Sequence, residues 1–133
     1  MNLNRRHQYA VSAMVQMALH SNDVPMQMKT ISEQGGIPHS FLEQLVLDLK
    51  KSGLIVSTRG AKGGYRLAKS PDAILIQDII NAIDPVVSSD LKDPFLSFFW
   101  NGFVDHANEY FKQPLSELVT SVLNRKSVLN YNI

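Results

Sequence analysis

Arg59-Gly60-Ala61-Lys62-Gly63-Gly64-Tyr65-Arg66 is a basic, glycine-rich stretch set between the apolar runs Leu54-Ile55-Val56 and Tyr65-Arg66-Leu67. Strand-forming runs joined by glycines, which tolerate positive φ, predict a β-hairpin. The turn holds no Asp or Glu, so Arg59, Lys62 and Arg66 crowd positive charge where a folded core offers no partner. Such a tip suits a polyanion, although a solvated tip with charges for solubility accounts for the hairpin taken alone. A nucleotide-phosphate loop fits poorly, because no Gly-Lys-Ser/Thr follows and a strand rather than a helix comes next.

Upstream, Met28 to Gln34 reads as a short helix anchored by Ile31 and ended by Gly35-Gly36. Pro38 suits the first turn of a second helix, which runs to about Lys51 and stops at Gly53. Phe41, Leu42, Leu45, Val46 and Leu49 compose its core face. Ser40, Glu43, Gln44 and Leu47, at i, i+3, i+4 and i+7, form the opposite stripe. Helix, glycine turn, helix, then basic hairpin is the order of a winged helix-turn-helix, whose second helix enters the DNA major groove. The predicted fold class is mainly α with a small β-hairpin wing.

Composition agrees with a small cytoplasmic regulator: 133 residues, 44% of them apolar, with no long uncharged apolar run to enter a membrane. Arg5 and Arg6 lead straight into the amphipathic pattern Ala10, Ala13, Met14, Met17, Ala18, which reads as a folded helix and not as a secretory signal. The absence of cysteine excludes disulfides and thiolate metal sites, and His7, His20, His39 and His106 show no zinc spacing. No metal site is expected. Residues 1–71 carry nine Lys/Arg against four Asp/Glu, whereas residues 72–133 carry four against eight. Positive charge thus gathers on the part proposed to read DNA, where counterion release supplies much of the binding energy. No Ser/His/Asp order or paired-carboxylate motif is present, so no catalytic residue is assigned and an enzyme is not expected.

Pro38-His39-Ser40-Phe41-Leu42-Glu43-Gln44-Leu45, Lys51-Ser52-Gly53-Leu54-Ile55 and Arg59 through Ala68 closely resemble the Rrf2 family of bacterial winged-helix transcription regulators. The likeness takes in Tyr9-Ala10-Val11-Ser12-Ala13-Met14 and Ile79-Ile80-Asn81-Ala82-Ile83, and so covers roughly residues 1–84. It implies a DNA-binding domain over 1–84, followed over 85–133 by a loop, a long dimerisation helix and a short last helix. Several members of that family hold an iron-sulfur cluster through three cysteines in the loop after the post-wing helix. Here that loop, Asp84 to Asp93, has none, so no cofactor is expected.

Beyond the wing, Ile76, Ile79, Ile80 and Ile83 repeat at helical spacing until Pro85, and Val86 to Asp93 reads as a polar loop. A long helix is expected from about Pro94, with Leu96, Phe99, Trp100, Phe103, Ala107 and Tyr110 on one stripe and Phe95, Phe98 and Phe111 beside it. So wide an aromatic face either caps its own domain or meets a second copy. The resemblance implies the latter, a homodimer built across a two-fold axis. Pro114 begins a short last helix carrying Leu115, Leu118, Val119 and Val122, with Arg125 and Lys126 at its C-terminus.

The side chains suggest roles on double-stranded DNA. Gln44 can bond adenine N6 and N7 together, and Ser40 a base edge or a phosphate. Glu43 can accept from cytosine N4 or repel phosphates at wrong sites; both readings stand. Lys62, the N–H groups of Gly63 and Gly64, and Lys29, Thr30 and His39 are candidates for phosphates, and Gly60 of the same turn is counted with them as a DNA-binding residue. Tyr65 is either the apolar base of the wing or a DNA contact. By resemblance, Arg59 is the wing arginine that enters the minor groove. Two functional readings follow: a repressor acting as a homodimer on a palindromic operator, or a winged-helix module that docks a metabolic enzyme without reading DNA. A small-molecule effector or partner enzyme is expected to act between the dimerising helix and the winged core.

Overall fold

The computed structural model describes residues 3–85 and 94–131, so the polar loop expected from Val86 to Asp93 lies outside the described residues. The elements are α1 (Arg5–Leu19), α2 (Met28–Gly35), α3 (His39–Lys51), β1 (Ile55–Thr58), β2 (Gly64–Leu67), a 3-10 turn (Pro71–Ala73), α4 (Ile76–Ile83), α5 (Ser97–Tyr110) and α6 (Leu115–Tyr131). This is the expected winged helix-turn-helix, mainly α with one antiparallel hairpin.

Helix α1 starts at Asn4, whose side chain accepts from the Arg6 N–H at 2.9 Å while its own N–H donates to His7 Nδ1 at 3.2 Å. Satisfying two otherwise orphaned donors in this reciprocal way sets where the helix begins. Its apolar face, Ala10, Ala13, Met14 and Met17, is buried as the periodicity predicts.

The turn between α2 and α3 is built around Ser32 and Gly36. Gly36 adopts φ 62°, the left-handed conformation that ends a helix at least cost when there is no Cβ. Ser32 Oγ donates to the Ile37 carbonyl at 2.6 Å and the Ile37 N–H returns to the Ser32 carbonyl at 3.0 Å, locking the angle at which α3 leaves. Pro38 stands at the N-cap, one place before the first turn where it was expected, and its carbonyl accepts from the Leu42 N–H at 3.1 Å. Leu42, Leu45, Val46 and Leu49 are buried. Phe41 is not: it is 37% exposed, because its ring stands edge-on to Tyr9 of α1, 5.2 Å between centroids, at the margin of the core.

Strands β1 and β2 pair with Ile55 opposite Leu67 and Thr58 opposite Gly64. The connection before α2 adds a further rung, since Met26 and Tyr65 exchange backbone hydrogen bonds of 2.8 Å in both directions. That rung explains Gly64: it sits at φ 149°, and a Cβ there would collide with the Met26 carbonyl.

Ile76, Ile79 and Ile80 of α4 enter the core, and Ile83 is half-buried. Ile74 and Leu115 are linked by the Leu115 N–H donating to the Ile74 carbonyl at 2.7 Å, and Gln77 N–H donates to the Phe111 carbonyl at 2.8 Å. Val104 and Leu115 therefore join the same hydrophobic cluster as Leu42, Leu45 and Ile55, so residues on both sides of position 84 share one core. The last helix is the longer of the final pair, 17 residues against 14 in α5, and not the short helix expected. Arg125 and Lys126 consequently lie within α6 and not at its end.

Candidate nucleic-acid interface

Once the core face of α3 is fixed by Leu42, Leu45, Val46 and Leu49, helical geometry leaves Ser40, Glu43, Gln44 and Leu47 on the outside, and all four are exposed. His39 opens the helix on the same side, with Nε2 3.2 Å from Glu43 Oε1. From behind, Arg6 Nη2 of α1 lies 2.9 Å from Asp48 Oδ2, an exposed cross-helix pair that adds to the contacts orienting α3.

The wing presents Arg59, Gly60 and Lys62 to solvent, with Arg66 also exposed on β2. Gly63 N–H donates to the Gly60 carbonyl at 2.9 Å, so it closes the turn and is already engaged where a phosphate was expected to use it. A Cβ at Gly63 would collide with the Thr58 carbonyl, which is why this position is glycine. Tyr65 is half-buried and packs against the core cluster, in keeping with the apolar base of the wing.

A feature not read from the sequence is the cleft of about 440 Å³ where the wing meets the start of α2, lined by Gln27, Met28, Thr58, Arg59, Gly60 and Gly63 among others. Gln27 caps α2 without a side-chain hydrogen bond. The first N–H groups of α2 thus stand next to Arg59, with exposed Lys29 and half-buried Thr30 in the same turn. Unsatisfied N–H groups, the positive end of a helix dipole and a guanidinium together favour an anionic oxygen. The sequence pointed to Lys29, Thr30 and Arg59 one by one, but not to the cleft that brings the start of α2 and the wing together.

The stripe expected at the dimer helix behaves differently from a core face. Leu96, Phe99, Trp100, Phe103 and Tyr110 are exposed, Ala107 is half-buried, and Val104 is what α5 turns inward. Phe99 and Trp100 stack edge to face at 5.0 Å.

A two-helix turn unit followed by a two-stranded basic wing defines a winged helix-turn-helix protein of the DNA-binding type. The chain belongs to the Rrf2 family: the model of that family, described as an iron-dependent transcriptional regulator, matches residues 3–97. It is 46% identical over 89 residues to the HTH-type transcriptional regulator IscR of Erwinia tasmaniensis, covering 67% of this chain and 54% of that protein. The match thus spans about half the length of that relative. In three dimensions it is similar to T. potens IscR, with a TM-score of 0.79 at 30% identity over 92% of this chain and 88% of that one. CymR of B. subtilis, titled the global cysteine regulator, gives 0.78 at 29% identity over 91% and 98%.

The iron in the family's description can be tested against these residues. The 133 residues contain no cysteine, and among the described residues no three His, Asp or Glu side chains gather into a metal-binding group. Iron-sulfur clusters are held by thiolates, so the residues present do not fit one. Among the described residues no helix is long and apolar enough to cross a membrane.

Proposed function

We propose that this chain is a sequence-specific DNA-binding transcription regulator that acts as a homodimer on a palindromic operator, represses from it, and does so without an iron-sulfur cluster or catalysis. The observation that carries the reading is the outward stripe Ser40, Glu43, Gln44 and Leu47 on a helix whose other face is locked into the core, beside a wing bearing Arg59 and Lys62. Gln44 supplies a paired donor and acceptor for adenine, Ser40 a hydroxyl for base or phosphate, and Arg59 a cation for the minor groove. Lys29, Thr30, His39 and Lys62 hold the backbone and set register without reading sequence. The exposed Leu96, Phe99, Trp100, Phe103 and Tyr110 are the surface offered to the second copy, which places two recognition helices for two half-sites. With no cluster to gain or lose, the signal in this reading is a small molecule or a docked protein that favours one arrangement of the two recognition helices.

The test is to select fragments of the source organism's genomic DNA with the full chain and measure binding against salt. A palindrome with half-sites roughly 34 to 36 Å apart is expected. The log–log salt slope should be about −0.9 per phosphate contacted. Failure to prefer any selected fragment over a scrambled duplex would turn the reading to the module that docks a protein without reading DNA.

A further inference from the structure

Leu47 does not belong with its neighbours. It stands on the stripe with Ser40, Glu43 and Gln44, yet it is a leucine 65% exposed to water, while the leucines that α3 needs for packing are Leu42, Leu45 and Leu49, all buried. Glu43 and Gln44 lie four and three residues before it, so Leu47 shares their side of the helix one turn further on.

At 1.5 Å per residue, Leu47 lies about 4.5 Å along the helix axis from Gln44, a little over the roughly 3.4 Å rise of one base pair. With the axis of α3 laid along the groove, that step carries Leu47 to the base pair beyond the one Gln44 engages. In the major groove each base shows a different edge: guanine offers acceptors, cytosine an amino group, adenine both, and thymine alone adds a methyl group. A leucine against the polar edges strips them of water without replacing the lost hydrogen bonds, whereas against the thymine methyl it exchanges apolar surface for water.

We propose that Leu47 is a specificity-determining residue that selects thymine, through its 5-methyl group, at the base pair next to the one read by Gln44. The inference rests on the DNA-binding reading above and adds to it a base preference at a position that hydrogen bonding does not specify.

The experiment uses the full chain and the operator recovered by genomic selection, with each thymine of the half-site replaced in turn by deoxyuridine, which removes only the methyl group. The parent is expected to lose about fourfold in affinity per half-site at one position, the equivalent of one buried methylene. Leu47→Ala, a surface change that favours helix, should bind the parent operator more weakly and be indifferent to the same replacement. A parent that senses no methyl group while Gln44 still discriminates its own base pair overturns the role of Leu47 alone. So does a Leu47→Ala protein that keeps the parent's thymine-to-deoxyuridine ratio. A parent that binds selected and scrambled duplexes equally removes the DNA reading itself, and this inference with it.

Discussion

His39 and Glu43 face each other across one turn of the recognition helix, Nε2 to Oε1 at 3.2 Å. The pair sets the one carboxylate of the exposed stripe within hydrogen-bond reach of the imidazole that opens the helix, so the imidazole partly shields that carboxylate from an approaching duplex in the proposed function. Removing the imidazole uncovers the carboxylate, and removing the carboxylate relieves repulsion of phosphates. His39→Ala is therefore expected to weaken binding to all duplexes about two- to fivefold, the range of one exposed side-chain contact, and Glu43→Ala to strengthen binding to unrelated duplexes by a similar factor. Fluorescence anisotropy on operator and scrambled DNA checks this; shifts of both variants in the same direction would show that the pair does not act as argued.

In the proposed function Gln44 reads a base and Lys62 attracts the phosphate backbone. Gln44→Ala should lose about 1 to 3 kcal/mol of discrimination at one base pair, while Lys62→Ala should weaken all sequences nearly equally and shorten the salt slope by about one contact. Competition against operators with single-base changes distinguishes the two. Identical base-dependent profiles for both variants would reverse the assignment.

Trp100 and Phe103 are exposed on α5, with Trp100 stacked on Phe99. If a second copy covers them, Trp100→Ala/Phe103→Ala removes their apolar burial and should cost the dimer at least roughly 3 kcal/mol. Operator binding should fail along with it. Sedimentation of parent and variant at micromolar concentration is the measurement, and a monomeric parent that still binds the palindrome contradicts the prediction.

His7 is 2% exposed and joins the start of α1 to the end of α4, accepting at Nδ1 from the Asn4 N–H and lying 2.9 Å from the Asp84 carbonyl through Nε2. The tautomer with its proton on Nε2 satisfies both. His7→Ala leaves a cavity and removes both hydrogen bonds, and is expected to lower stability by about 2 to 3 kcal/mol in chemical denaturation. An unchanged denaturation midpoint would refute it.

Protein prepared without oxygen is expected to be colourless, to hold no stoichiometric iron or acid-labile sulfide, and to bind its operator equally before and after exposure to air, since no thiolate is present to hold a cluster. Metal and sulfide analysis decides the matter, and one equivalent of cluster iron per subunit would overturn it.

The recognition helix was legible because everything that defines it is local. The buried set Leu42, Leu45, Val46 and Leu49 and the exposed stripe opposite repeat within a single helix, where spacing alone assigns sides. The wing was legible for the same reason, since a glycine turn between short apolar runs pairs strands adjacent in sequence. The length of α6 was not: its apolar pattern fades after Val122, but no glycine or proline occurs between Leu115 and Tyr131, and the helix continues where amphipathicity stops.

What sequence alone determined, then, is the set of elements, their order, and the side chains that α3 and the wing leave exposed. Only the tertiary structure decided that Phe41 leaves the core for an edge contact with Tyr9, and that Met26 makes a further rung on the wing at Tyr65. It alone revealed the pairs Arg6–Asp48 and His7–Asp84, 42 and 77 residues apart. The physical reason is that short-range periodicity encodes which face of an element is apolar, whereas a contact between distant residues depends on how several such faces pack at once, and no spacing within one element records it.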